Sequence, residues 1–454
     1  MNFNDAMKKA KERTLEIISP KITLTQNKAS KPITLTLTGV VRQLETGQLV
    51  LKGIVASQEN AKGDGVCTST ITENLLEGEI IPESCSFKLK VETVSGQVWV
   101  AEKVYTTSGK HRFGGKKSIT IDANIDSITA KNILAGQIER AGMSRGLTLE
   151  ANYPILPKND ITDLGENGIV RNKTKLSFLG KKCTIIQEEK NINIYINSKR
   201  TISNNERNAI VNALEIASGC GFKKISEYVS CSSYMQCTIF SFDHGTKARK
   251  LSTPIKTDSP RNAVLVEKIT RGYCSQKLED RKKIYHYWQD ISTSYNAGMN
   301  AYSKALGATV EGMVKSFYPE IRKKDLLFAS LCGDSIKDIE LAISEKRLTL
   351  HPRVKESIMA KLKSAGGASI YTGLIDVYGD EVARCWNDLR NPASHGAFYE
   401  KYKGRDADLL RDSKTCLAIF YDLLLEKIGY KGNRINYAKE GCPETKESLK
   451  ITKQ

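Results

Sequence analysis

Residues 381–396 read EVARCWNDLRNPASHG. Val382, Trp386 and Leu389 recur at steps of four and three, the period that gathers apolar side chains on one face of an α-helix. The helix is expected from about Asp380. Pro392 has no N–H to donate and biases Asn391 away from helical dihedrals, so this helix is expected to end near Leu389 or Arg390, with a new turn or helix starting at the proline.

Outward from this helix the chain keeps the same period. Upstream, Tyr295, Met299, Tyr302, Leu306, Val310, Met313 and Phe317 form one stripe that Pro319 ends. Shorter helical runs are predicted over 326–332, 336–343, 354–362 and 370–377. Downstream, Leu410, Leu417, Phe420, Leu424 and Ile428 mark a last helix that Gly429 stops. Residues 263–437 are thus expected to form an all-α bundle of four to six helices, followed by a polar tail over 438–454.

The front of the chain has period two. Ile33, Leu35 and Leu37 alternate with threonines, and Phe87, Leu89 and Val91 alternate with lysines. Further strands are predicted at 98–100, 118–121 and around Ile125 and Ile128, with turns at Thr46-Gly47 and Ser95-Gly96. Residues 1–135 are therefore expected to be an antiparallel sandwich or barrel-like domain. Residues 136–262 read as a mixed region: strands at 183–186, 192–196 and 238–240, a helix from Ser203 or Asn204 to Gly219, and a linker over 247–260. The fold class is α+β, multidomain, with a β-rich N-terminal region and a helical C-terminal domain.

At 454 residues, 40% hydrophobic and 26% charged, the composition is that of a globular chain of two or three domains. No apolar run approaches the 18 or so residues of a membrane span, and the first eleven residues do not read as a secretory signal. A cytoplasmic location and no membrane partner are expected. The 11 cysteines form no C-x-x-C pair, which fits reduced thiols. Cys220, Cys231, Cys237 and His244 match no standard zinc spacing, so neither metal nor cofactor is expected. The net charge is +18, yet residues 277–434 hold 26 Lys+Arg and 21 Asp+Glu, a balance of +5. The basic excess lies mostly in the N-terminal part, where it could attract nucleic acid at long range.

Arg390 and His395 are the candidate catalytic pair, with a C-terminal helix cap pairing to Asp388 or another carboxylate as the structural alternative for Arg390. Metal-free cleavage of an RNA phosphodiester requires proton transfer from the attacking 2'-hydroxyl and fixed positive charge for the phosphorane. Histidine titrates near neutral pH, and arginine offers a planar fork of donors matched to phosphate oxygens. On a continuous helix five positions separate two side chains by about 140°. The expected break at Pro392 would let both turn to one side, with Asn391 orienting the phosphate or the imidazole.

The amphipathic helix followed by R-N-x-x-x-H and glycine resembles the motif-bearing segment of HEPN-domain ribonucleases. Residues 423–432, LLLEKIGYKG, with Tyr437 beyond them, are similar to the closing helix and tail of the ApeA-like HEPN family. The helix with Tyr302 and Glu311 suits that family's first bundle helix, and the resemblance covers about residues 280–437. It implies a HEPN bundle and a composite site formed by two motifs across a homodimer or larger assembly. It further implies antiphage RNA cleavage leading to abortive infection, with the N-terminal region sensing a phage-derived trigger. Carried onto this sequence, Arg390 would stabilise the phosphorane, His395 would be the acid or base, and Asn391 would be the polar residue after the arginine; Glu311 reads as part of a solvated helix face, with support of the site as the alternative.

The alternative is a non-catalytic nucleic-acid-binding or interaction protein whose HEPN-like bundle only dimerises. Other motifs are weak. The segment at Gly114-Gly115-Lys116 fails the phosphate-loop pattern in both registers, and His286 among Tyr285, Tyr287 and Trp288 reads as part of a half-buried aromatic cluster.

Overall fold

The computed structural model describes residues 2–28, 31–59, 86–113, 116–133, 143–151, 156–163, 169–188, 191–242, 250–323, 326–345, 347–365, 369–395 and 401–449. Within these ranges the backbone alone is described at 58, 107–113, 116–118, 162–163, 169, 326–328, 361, 363–365 and 391–395. The chain divides into two compact units, Met1–Arg207 with Cys220–Ala248, and Asn208–Gly219 with Arg249–Gln454.

The first unit is a barrel that continues into an open sheet. Strands β1 (Glu16–Gln26), β2 (Thr34–Gln43), β3 (Leu49–Glu59), β4 (Phe87–Glu92), β5 (Val98–Phe113) and β6 (Lys116–Ile125) run in the order β4-β1-β2-β3-β6-β5, and a β4–β5 pairing closes the ring. Closure depends on the length of β5. Its first part pairs with β4 and its later part with β6. The period-two reading holds here: Leu35, Leu37, Phe87, Leu89 and Val91 are buried, while Lys88 and Lys90 face out. Gly47 and Gly96 occupy their turns at φ +93° and +79°.

A helix missed in the sequence reading, α1 (Phe3–Glu12), adds Phe3, Ala6 and Ala10 to the barrel core. Their spacing of three and four was the available signal. Leaving the barrel, β7 (Ser127–Ile133) pairs with β14 (Tyr234–Phe240). The sheet goes on through β13 (Lys223–Ser230), β8 (Met143–Glu150), β12 (Asn191–Ser198), β11 (Lys181–Gln187), β10 (Ile169–Phe178) and β9 (Asp160–Asp163). The division expected at residue 135 therefore falls inside one unit, because the β7–β14 ladder carries hydrogen bonds across it. Helix α2 (Asn204–Ser218) starts at a capping box in which Ser203 and Glu206 bond each other's backbone N–H.

The second unit is helical. From residue 263 the described residues form α3 (Ala263–Cys274), α4 (Leu278–Ala297), α5 (Met299–Phe317), α6 (Leu326–Ser344), α7 (Pro352–Ala365), α8 (Ile370–Tyr378), α9 (Asp380–His395) and α10 (Asp406–Lys427). That exceeds the expected four to six. The stripe read as one helix from Tyr295 is broken at Gly298, whose φ of +120° an α-helix cannot contain. The two runs read at 326–332 and 336–343 are one helix, α6.

Every residue of α10 from 415 to 425 is buried, the pattern of a central helix rather than a surface one. Helix α10 packs against α5 and α9, and α9 packs also against α5 and α8. Gly429, at φ +67°, closes α10, as its position in the sequence predicts. The stretch expected to be a linker is instead built into this unit: Leu251 and Ile255 are buried, and Tyr421 and Tyr437 donate to the carbonyls of Ser252 and Thr253. The expected polar tail is likewise fastened through residue 449 by Asp422 of α10.

Helix α9 does not end at Arg390. Its backbone stays helical through Pro392 to His395. Pro392 gives up its own N–H bond to the carbonyl of residue 388, and a proline inside a helix costs about 3 kcal/mol. Pro392 lies in the last turn of α9, so the helix extends only three residues beyond it.

Candidate functional site

Arg390 reaches its place through a close helix crossing. A Cβ on Gly307 of α5 would lie 3.2 Å from both the Cα and the N of Arg390, so the missing side chain lets α9 pass close to α5. Trp386, one turn earlier on α9, is buried and donates its indole N–H to the Gly307 carbonyl at 3.0 Å. One turn beyond Gly307, Glu311 is then level with the Arg390 guanidinium.

The two side chains meet in a fork. Arg390 Nε donates to Glu311 Oε2 at 2.8 Å, and Arg390 Nη2 approaches Oε1 at 3.3 Å. Lys315 Nζ lies 2.7 Å from the same Oε1. Glu311 thus bridges two cations with its side chain only 18% exposed, against 33% for Arg390. The hydrogen bond from Arg390 holds the Glu311 carboxyl below its ordinary value; burial opposes this and Lys315 adds to it. The same bond raises the Arg390 guanidinium further.

Around this pair is a pocket of about 310 Å³, lined also by Arg322, Ser369, Tyr371 and Asn387. Three cationic side chains and one carboxylate face it. Such a recess suits an anion that approaches the guanidinium and ammonium groups from the open side.

Of the four candidate residues, Arg390 and Glu311 are therefore brought together. Asn391 and His395 are on α9 by backbone, and their side chains lie outside the described residues. With α9 continuous, residues 390 and 395 stand about 140° apart around the axis. The turn at Pro392 that was to bring them together within one chain is not what the backbone does.

Sequence reasoning missed Lys315 and Arg322. Lys315 was findable, four residues after Glu311 on a helix. Arg322 follows the 3₁₀ turn at Pro319–Ile321, and no spacing rule ties it to α9. Tyr285 stacks on Trp288 at 5.8 Å and donates to Glu215 at 2.6 Å, as the aromatic-cluster reading expects, whereas His286 is exposed on the surface beside Asp290. The segment at 114–115 and His244 lie outside the described residues. Among the described residues no cluster of three or more His, Cys, Asp or Glu could hold a metal ion, and no helix is long and apolar enough to cross a membrane.

No family model, no curated protein and no solved structure matches this chain.

The Glu311 geometry has a pH consequence. Because its folded value is depressed, its stabilisation is present above the ordinary carboxyl value of 4.5 and is lost as pH falls through the lower folded value. The stability gap between wild type and Glu311→Gln should be flat from pH 7 to 5 and shrink below about pH 4.5. Lys315 is over half exposed, so a gap of about 1 kcal/mol is expected. Urea denaturation across that range measures it, and a gap that widens on acidification contradicts the assignment.

Proposed function

We propose that the chain is a metal-independent endoribonuclease of the HEPN type. It acts as a homodimer or larger assembly in antiphage defence, with the N-terminal region sensing a phage-derived trigger. The observation that carries this reading is the Arg390 guanidinium, oriented by Glu311 in a pocket with Lys315 and Arg322, on the helix bearing R-N-x-x-x-H.

In this reading the arginine fork and the neighbouring cations neutralise the phosphorane as charge develops. His395 takes the proton from the 2'-hydroxyl or returns one to the departing 5'-oxygen. The 2'-oxygen forms its bond to phosphorus as the P–O5' bond breaks, which leaves a 2',3'-cyclic phosphate and a 5'-hydroxyl. A continuous α9 favours sharing between chains, the Arg390 of one copy working with the His395 of another. The purified chain should cut single-stranded RNA in EDTA and leave cyclic phosphate ends; products ending in a 3'-hydroxyl would defeat the reading.

One observation favours a second reading. Two nitrogens of Arg390 are turned to Glu311, which lowers the charge offered to a phosphate. A non-catalytic nucleic-acid-binding or interaction protein would tolerate that pairing. Salt-sensitive RNA binding with no cleavage by the wild type is its signature.

A further inference from the structure

The helical unit has a second basic recess that shares no lining residue with the Arg390 pocket. It lies between Arg261 and Lys268 at the start of α3, the loop after α10 that carries Lys431 and Arg434, and Lys446. Its volume is about 470 Å³, and no carboxylate lines it.

The loop that shapes the recess is held from several sides. Lys268 Nζ donates to the Lys431 carbonyl at 2.9 Å, and the Tyr430 hydroxyl donates to the Asn433 carbonyl at 2.7 Å. A Cβ at position 432 would fall 2.6 Å from the Tyr430 hydroxyl oxygen, so a side chain there would displace the Tyr430 ring from its present place. Arg434 is anchored from behind by Asp422 at 2.6 Å, and its Nε is buried with no hydrogen-bond partner among the described residues.

Of the five charges only Arg434 has an ion-pair partner among the described residues, Asp422. Among the described residues, Arg261, Lys268, Lys431 and Lys446 enter no salt bridge. Four cations without a carboxylate partner, together with the paired Arg434, give the recess a net positive charge that favours an anion placed among them. Lysines give mobile point charges suited to phosphate oxygens, and arginine adds a directed fork. Val264, 53% exposed at the rim, offers an apolar face beside the charges.

We propose that this recess is a phosphate-binding site, separate from the Arg390 pocket, for a phosphate group carried by an RNA strand or by a free nucleotide. It does not depend on the ribonuclease reading, because its readout is binding and not cleavage.

The test uses the full-length chain with two probes, inorganic pyrophosphate and a 2'-O-methyl RNA oligonucleotide, which has no free 2'-hydroxyl to attack its own phosphate. Lys431 and Lys446 are exposed, so the double variant Lys431→Glu/Lys446→Glu should keep the wild-type melting curve. It should bind pyrophosphate at least about tenfold more weakly, while Lys431→Arg/Lys446→Arg stays within about twofold. If RNA is the source, the reversal also weakens the oligonucleotide and flattens its log–log salt dependence by about 1.4, at about 0.7 per lysine contact on a single strand. If free nucleotide is the source, only the pyrophosphate arm moves. The proposal fails if neither probe changes by more than about twofold, or if the arginine variant loses as much as the glutamate one.

Discussion

Replacing Arg390 by alanine is expected to lower RNA cleavage about 10²–10³-fold, the loss typical of removing one donor to a developing anion. His395→Ala should lower it about 10²–10⁴-fold, the usual contribution of a positioned acid or base. Arg390→Lys keeps the charge but loses the fork that Glu311 engages through Nε and Nη2, so it should recover only part of the activity. The double variant should be little worse than the weaker single one, because the two groups serve one transition state.

Mixing the two inactive chains sharpens the test. A helix continuous from Asp380 to His395 argues against convergence within one chain, so co-assembled Arg390→Ala and His395→Ala chains should regain cleavage. Each mixed dimer would hold one intact Arg390 and one intact His395 on opposite copies. Single variants that cleave like wild type in EDTA would sink the ribonuclease reading; inactive variants that fail to complement would sink only the sharing between chains.

The second large effect is on stability. Asp422→Ala should cost about 3–5 kcal/mol, the usual result of removing one member of a buried ion pair. Asp422 is 1% exposed and accepts from Arg434 Nη1 at 2.6 Å, Ser448 Oγ at 2.7 Å, Tyr378 Oη at 3.2 Å and the Leu449 N–H at 3.3 Å. Its loss leaves a guanidinium buried without its anion and frees Ser448 and Leu449 from α10. Replacing both partners, Asp422→Leu with Arg434→Met, should recover much of the loss, since two apolar groups of similar volume leave no charge stranded. Urea denaturation reads both, and a single-variant cost under about 1 kcal/mol would contradict the role given to Asp422.

Much of the second unit was legible because its helices are amphipathic and punctuated. The starts near Asp380 and Ile370 and the stop at Gly429 follow from caps, period and glycine, and the structure has them there. The break at Gly298 escaped because the apolar stripe passes through it without losing phase. The barrel strands were legible from alternation at 87–91, but closure was not, since pairing of β4 with β5 depends on which edges meet. At the site, Arg390 was chosen for its chemistry and Glu311 for its helix, while nothing in their separation along the chain announced a hydrogen-bonded fork between them.

Local sequence alone therefore determined many of the strands and helices, though not α1 or strands such as β1, β8, β10 and β13, together with the division into a β-rich front and a helical back and the residue types available for phosphate chemistry. These properties depend on side-chain period, caps and ionisation, all fixed within a few positions along the chain. The tertiary structure decided that α9 continues through Pro392, that Gly307 admits it close enough for Glu311 to grip Arg390, and that cations from residues 261 to 446 surround one recess. Such outcomes are set by contacts between distant segments, as where the Trp386 indole donates to the Gly307 carbonyl and fixes the α5–α9 crossing.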